Sequence, residues 1–139
     1  MSSEFIFSFN DTAADSVSGV VKTFGSVFGD LIVLDCIPLP PGAQVVGGDL
    51  VIETAGVGPT AYTVALGVAG STAAYLAATS LLAAANTRTA LLLTAALASN
   101  SGANVRMTIN STVANASAGK FRLTVQWKMD GRQTDATPA

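Results

Sequence analysis

Residues 120–130, KFRLTVQWKMD, alternate between apolar and polar positions. Phe121, Leu123, Val125, Trp127 and Met129 share one face of an extended chain, and Lys120, Arg122, Thr124, Gln126, Lys128 and Asp130 share the other. A period of two marks a strand with one dry and one wet face, because successive side chains point to opposite sides of a sheet. Residues 104–110 repeat it, with Val105, Met107 and Ile109 against Asn104, Arg106, Thr108 and Asn110. Their connector, STVANASAG, is built of small turn formers, so the two segments are expected to pair as an antiparallel hairpin.

The same reading extends along the chain. Phe5, Phe7 and Phe9 alternate with Glu4, Ile6, Ser8 and Asn10, which gives a short strand with an aromatic edge. Three phenylalanines are costly to leave in water, so this strand either docks on its own domain or reaches out as an arm onto another chain. Residues 11–19 are small and polar, and residues 17–28 carry a weaker strand pattern broken by Gly19 and Gly25. Residues 30–37 are densely apolar, too short for a helix, and belong at a sandwich centre or an interface. Pro38, Pro40 and Pro41 end that run. Residues 44–54 return as a strand, with Gly47 and Gly48 marking a bulge or bend. Residues 61–68 and 87–95 read as further strands, and Thr79 or Ser80 could cap a helical turn over 81–85 closed by Asn86.

The pattern predicts an all-β fold, a jelly-roll-like β-sandwich of about eight strands with one short helical turn and an N-terminal arm. An immunoglobulin-like sandwich is the alternative, without the paired cysteines of its common form. The expected organisation is an arm and linker over 1–19, a sandwich over 20–130 and a polar tail over 131–139.

Composition sharpens this picture. Among 139 residues, 12% are charged and 50% hydrophobic, with 13 Gly and 5 Pro, which suits short strands and tight turns. So little charge suggests that part of the surface is covered by other chains. Acidic residues dominate 1–53 and basic ones 86–139; the two sets either interleave and cancel, or segregate into surfaces that orient partners. A sequence pI of about 4.7 and the lack of any basic run argue against a nucleic-acid partner. The charge-free stretch 54–87 is too rich in Gly, Ser and Thr for a membrane span, and no secretory signal is expected at the N-terminus. Three glycosylation-like tripeptides starting at Asn10, Asn110 and Asn115 are read as chance matches.

The chain has no histidine, and hence neither the commonest general base nor the commonest metal ligand. Cys36 is a lone thiol in an apolar run and is read as inert. Asp49 and Glu53 would lie about 13 Å apart on one strand face, too far for a retaining carboxylate pair. No GxGxxG, Gly-Lys-Ser/Thr or calcium loop occurs. No catalytic, cofactor-binding or metal site is therefore expected, and Trp127 is assigned to the core rather than to sugar stacking.

Three blocks carry a resemblance: IPLPPGAQVVGGDLVIETA at 37–55, AAYLAATSLLAAANTRTALLL at 73–93 and AGKFRLTVQWKMDGR at 118–132. In order and spacing they resemble small structural proteins of tailed bacteriophages, the head cement or decoration proteins, that of the Bordetella phage in particular. Related sequences often close the third block on VDGR, and here Met129 replaces the valine before Asp130-Gly131-Arg132. The resemblance implies a jelly roll on the outer surface of the capsid, made in the host bacterial cytoplasm. It also implies pairing into a homodimer and bridging of major capsid protein capsomers, with neither nucleic acid nor membrane as partner. Phe5, Phe7, Phe9, Leu31, Val33 and Ile37 are the candidate contacts. A carbohydrate-binding or fibre-type module of a virion is the competing function.

Overall fold

The structure is a computed structural model, and residues 2–25, 31–40, 43–68, 71–92, 104–112 and 114–129 are described. Ten strands follow in order: β1 (Ser2–Ser8), β2 (Thr12–Ala14), β3 (Val21–Thr23), β4 (Leu31–Ile37), β5 (Ala43–Val57), β6 (Ala61–Val68), β7 (Ser71–Ser80), β8 (Arg88–Ala90), β9 (Val105–Thr112) and β10 (Ala118–Met129). One four-stranded sheet has the order β1-β10-β5-β8 and the other β4-β9-β6-β7, with β2–β3 as a separate hairpin.

The order has a simple logic. Leaving the β2–β3 hairpin aside, the first strand pairs the last, β4 pairs β9, β5 pairs β8 and β6 pairs β7, all antiparallel. These are the nested rungs of one long hairpin folded over itself, joined into sheets by β10 on β5 and β9 on β6. That is the jelly-roll arrangement, and its two sheets bury one face each against the other. Phe121, Leu123 and Val125 of β10, with Leu50 and Ile52 of β5 and Phe7 of β1, meet Ile32, Val64, Leu66, Met107 and Ile109 of the second sheet. Tyr62, also fully buried, donates its hydroxyl to the Phe24 carbonyl at 3.0 Å.

Three expectations are corrected. β9 and β10 do not pair: each is an inner strand of a different sheet, and the connector between them crosses the sandwich. Alternation dictates which face a strand buries but not which neighbour it takes, so two strands with one code need not share a ladder. The helical turn over 81–85 is absent. Leu81 N–H bonds to the Tyr62 carbonyl at 2.6 Å, Gly56 N–H to the Leu81 carbonyl at 2.9 Å, and Asn86 N–H to the Ile52 carbonyl at 2.6 Å. Backbone partners on β5 and β6 replace those a helix would supply, and Asn86 takes a φ of 69° to complete the turn. Finally, β4 is an edge strand of its sheet, which removes the sandwich-centre alternative for this run and leaves the interface one. The bulge foreseen at Gly47-Gly48 is present: Gln126 pairs Gly47 and Trp127 pairs Val45, which leaves Val46 unmatched and 49% exposed.

Candidate partner-binding surface

A sandwich offers partners two outer faces and four sheet edges, and the residues on each decide what it can bind. The outer face of the first sheet is charged. Arg88 Nε lies 2.8 Å from Asp49 Oδ2, and Glu53 sits between Lys120 at 3.8 Å and Arg122 at 3.6 Å. The corresponding face of the second sheet is built of Thr, Asn and Ala, with Leu31, Val33, Thr108, Asn110, Thr63 and Ala65 in register across β4, β9 and β6. On it Arg106 Nε pairs with Asp35 Oδ1 at 2.9 Å. That hydrogen-bonded partner raises the Arg106 pKa further. The acidic first part and the basic last part of the sequence therefore interleave, as Asp35–Arg106, Asp49–Arg88 and Glu53–Arg122 bring them together across the fold.

The edges differ more sharply than the faces. The β4 edge is closed by Asp15 and Ser16. Asp15 Oδ2 accepts the Val33 N–H at 3.1 Å, Ser16 N–H donates to the Val33 carbonyl at 2.6 Å, and Asp35 N–H donates to Ser16 Oγ at 3.0 Å. Asp15 is buried, its Oδ1 also accepts the Val17 and Ser18 amides at 2.7 and 2.9 Å, and Lys22 lies 3.4 Å away. The Ser18 amide dominates, and with the Val33 and Val17 amides and Lys22 it outweighs burial, lowering the carboxyl pKa to about 2. Sequence reasoning placed Asp15 in a plain linker. The signal it carried is DSVSG, an Asp followed by the small residues that turn back onto it. The β8 edge is short at three residues, and the β7 edge receives Leu92 N–H on the Tyr75 carbonyl at 2.8 Å.

The β1 edge is different. Ser8 exchanges bonds with Asp11, its N–H to Asp11 Oδ2 at 2.8 Å and its carbonyl to the Asp11 N–H at 3.1 Å, so Ser8 points away from β10. Backbone direction alternates along an antiparallel strand, so Glu4 and Ile6 also turn their N–H and C=O groups outward. Among the described residues no donor or acceptor meets them. Beside this edge, between the margins of the two sheets, runs an open groove of about 480 Å³ lined by Phe5, Ile6, Phe24, Leu34, Cys36 and Asp11 among others. Ile6 is 50% exposed there. Burial pushes the Cys36 thiol up to about 12, which keeps it protonated and unreactive.

The six residues expected to touch partners separate accordingly. Phe7, Val33 and Ile37 are buried within this chain, Phe7 against Phe121 with ring centroids 5.2 Å apart. Phe5 and Phe9 are half-buried, and Leu31 is exposed. The structure brings Phe5 and Phe7 together and leaves Leu31 on the far sheet. Ile6 and Val46 were missed because each stands alone on a wet face, and a lone apolar residue in such a place carries no period. Tyr62 and Tyr75 are buried, whereas Trp127 is half-buried, with its indole N–H donating to Ser3 Oγ at 3.1 Å. Among the described residues no group of three His, Cys, Asp or Glu side chains could hold a metal ion.

Comparison with solved structures finds this fold in phage capsids. A chain of the cyanophage Pam1 capsid asymmetric unit superposes with a TM-score of 0.54 at 21% identity, covering 93% of this chain and 84% of that one. A chain of the Ralstonia phage GP4 capsid gives 0.50 at 15% identity, covering 92% and 83%. No protein-family model matches the sequence, and no curated protein does.

Proposed function

We propose that this chain is a structural subunit of a tailed-phage virion, a cement protein on the outside of the icosahedral head. It pairs with a second copy and bridges neighbouring capsomers of the major capsid protein. The observation that carries this reading is a fold shared, along more than nine-tenths of the chain, with chains of two phage capsids. The three-block resemblance to head cement proteins supports the finer assignment. So does a surface that is short of charge and keeps Ile6, Leu31, Val46 and Val57 in contact with water.

The mechanism is linkage. A subunit that binds the assembled head and not its separated parts stabilises the head by mass action, and each standard-size contact adds to resistance against bursting. No bond is made or broken. The chain's own requirement is a rigid slab to carry complementary patches, and the two packed sheets supply the slab. The acidic pI removes the electrostatic drive toward DNA.

Light scattering on the purified chain followed by co-sedimentation with expanded empty heads tests the reading. A small oligomer that saturates the heads and raises their bursting temperature is expected. Large particles formed by the chain alone would favour a self-assembling fibre or shell subunit. Glycan binding without head binding would favour a carbohydrate module.

A further inference from the structure

We infer that the outer edge of β1 and the groove beside it receive an extended strand from a partner chain, one that alternates apolar residues and carries a lysine or arginine. The inference rests on the proposed role as a subunit that binds other capsid chains, and it names the place of contact.

Three observations converge there. Glu4 and Ile6 present outward N–H and C=O groups that nothing among the described residues engages, whereas β4 is closed by Asp15 and Ser16 and β8 is three residues long. Natural sheets block long edges, so an open edge is a template for another strand. The groove alongside supplies what main-chain bonding alone lacks, an apolar floor of Phe5, Phe24 and Leu34 for every second side chain of the incomer. Its volume of about 480 Å³ suits several such side chains. Charge then selects the partner. Asp11 is exposed at the groove's end with Oδ2 on Ser8 and Oδ1 still able to accept, and Glu4 stands on the edge itself, whereas Asp35 on the opposite wall is neutralised by Arg106. Of the nearest cations, Arg106 is held by Asp35 and Lys22 by Asp15. The rim is acidic, and a basic side chain on the added strand meets it.

The edge geometry allows a selective test on the full chain. Glu4→Pro and Ile6→Pro each delete one outward N–H and leave the β1–β10 ladder intact, a position where an edge strand tolerates proline. Binding to empty heads is measured by co-sedimentation for the parent chain, both variants and Asp11→Lys. Hydrogen exchange of the parent chain is followed free and head-bound, and each variant's thermal midpoint is recorded as a folding check. The expected result is at least tenfold weaker binding for all three variants at unchanged melting. The Glu4 and Ile6 amides should exchange rapidly in the free chain and slowly on the head. Parent-like binding by the proline variants, with protection elsewhere, would overturn the inference and leave the cement role standing. Protection of these amides in the free chain that grows with concentration would assign the edge to a second copy and overturn it too. No head binding by the parent chain would remove both readings.

Discussion

Asp15 shows how much a single side chain can organise. Its carboxylate gathers three backbone amides and Lys22, and so closes the β4 edge and fixes the β2–β3 hairpin against the second sheet. Because its folded pKa lies near 2, below the unfolded value of about 3.9, the stability it contributes is whole above about pH 4. That contribution is lost as the pH falls through about 2. Urea melts from pH 5 to pH 2 should therefore show the parent chain losing its advantage over Asp15→Asn within that window. A constant gap would show that the charge is not what these amides hold. Asp15→Ala should cost roughly 3 kcal/mol at neutral pH, since it strands a buried donor set. Its local turn was readable in DSVSG, but its bond to the Val33 amide was not, because that partner lies 18 positions away, beyond the reach of any local pattern.

At the level of elements, alternation was a good guide to faces and a poor one to neighbours. Phe121, Leu123 and Val125 are all buried, as are Val105, Met107 and Ile109, so both strands and their dry sides were readable. Their pairing was not, because a crossing connector and a hairpin turn draw on the same small residues. The helical turn failed for the opposite reason, since local propensity yielded to carbonyls and amides offered by β5 and β6. Trp127 has the right face but lies at the end of the slab, half-buried with its indole bonded to Ser3. Trp127→Ala should accordingly cost about 2 kcal/mol, below the roughly 3–5 of a fully buried aromatic. A denaturation midpoint matching the parent's would place it outside the core. Gly48 has a φ of 143°, and a Cβ there would strike the Thr124 carbonyl on β10. Gly48→Ala is expected to lose about 3 kcal/mol by the same measurement, because the inner strands would have to part. β1 cannot be treated as a detachable arm in such tests. Phe7 is 1% exposed in the core, so removing residues 1–10 strips core packing along with any contact surface.

Across the whole molecule, eight strands close a jelly roll whose described residues offer several kinds of surface: a charged face, a small-residue face, a β4 edge closed by Asp15 and Ser16, and at β1 a longer edge that no described residue covers. The jelly-roll class was legible from strand count, turn spacing and the near absence of helix signal. The candidate surface was legible only in part. Low charge led to the expectation that other chains cover this one, but which residues remain exposed depends on strand order, and strand order lies in long-range pairing. There is no histidine in the chain, and Asp15, Asp35, Asp49 and Glu53 all have cationic neighbours. The most direct test of the central claim is co-sedimentation of the purified chain with expanded empty heads, read as copies bound per head against concentration. The account predicts saturable binding at a fixed copy number, with none to separated capsid subunits. Failure to bind heads at any concentration, from a chain shown to be folded, would contradict it.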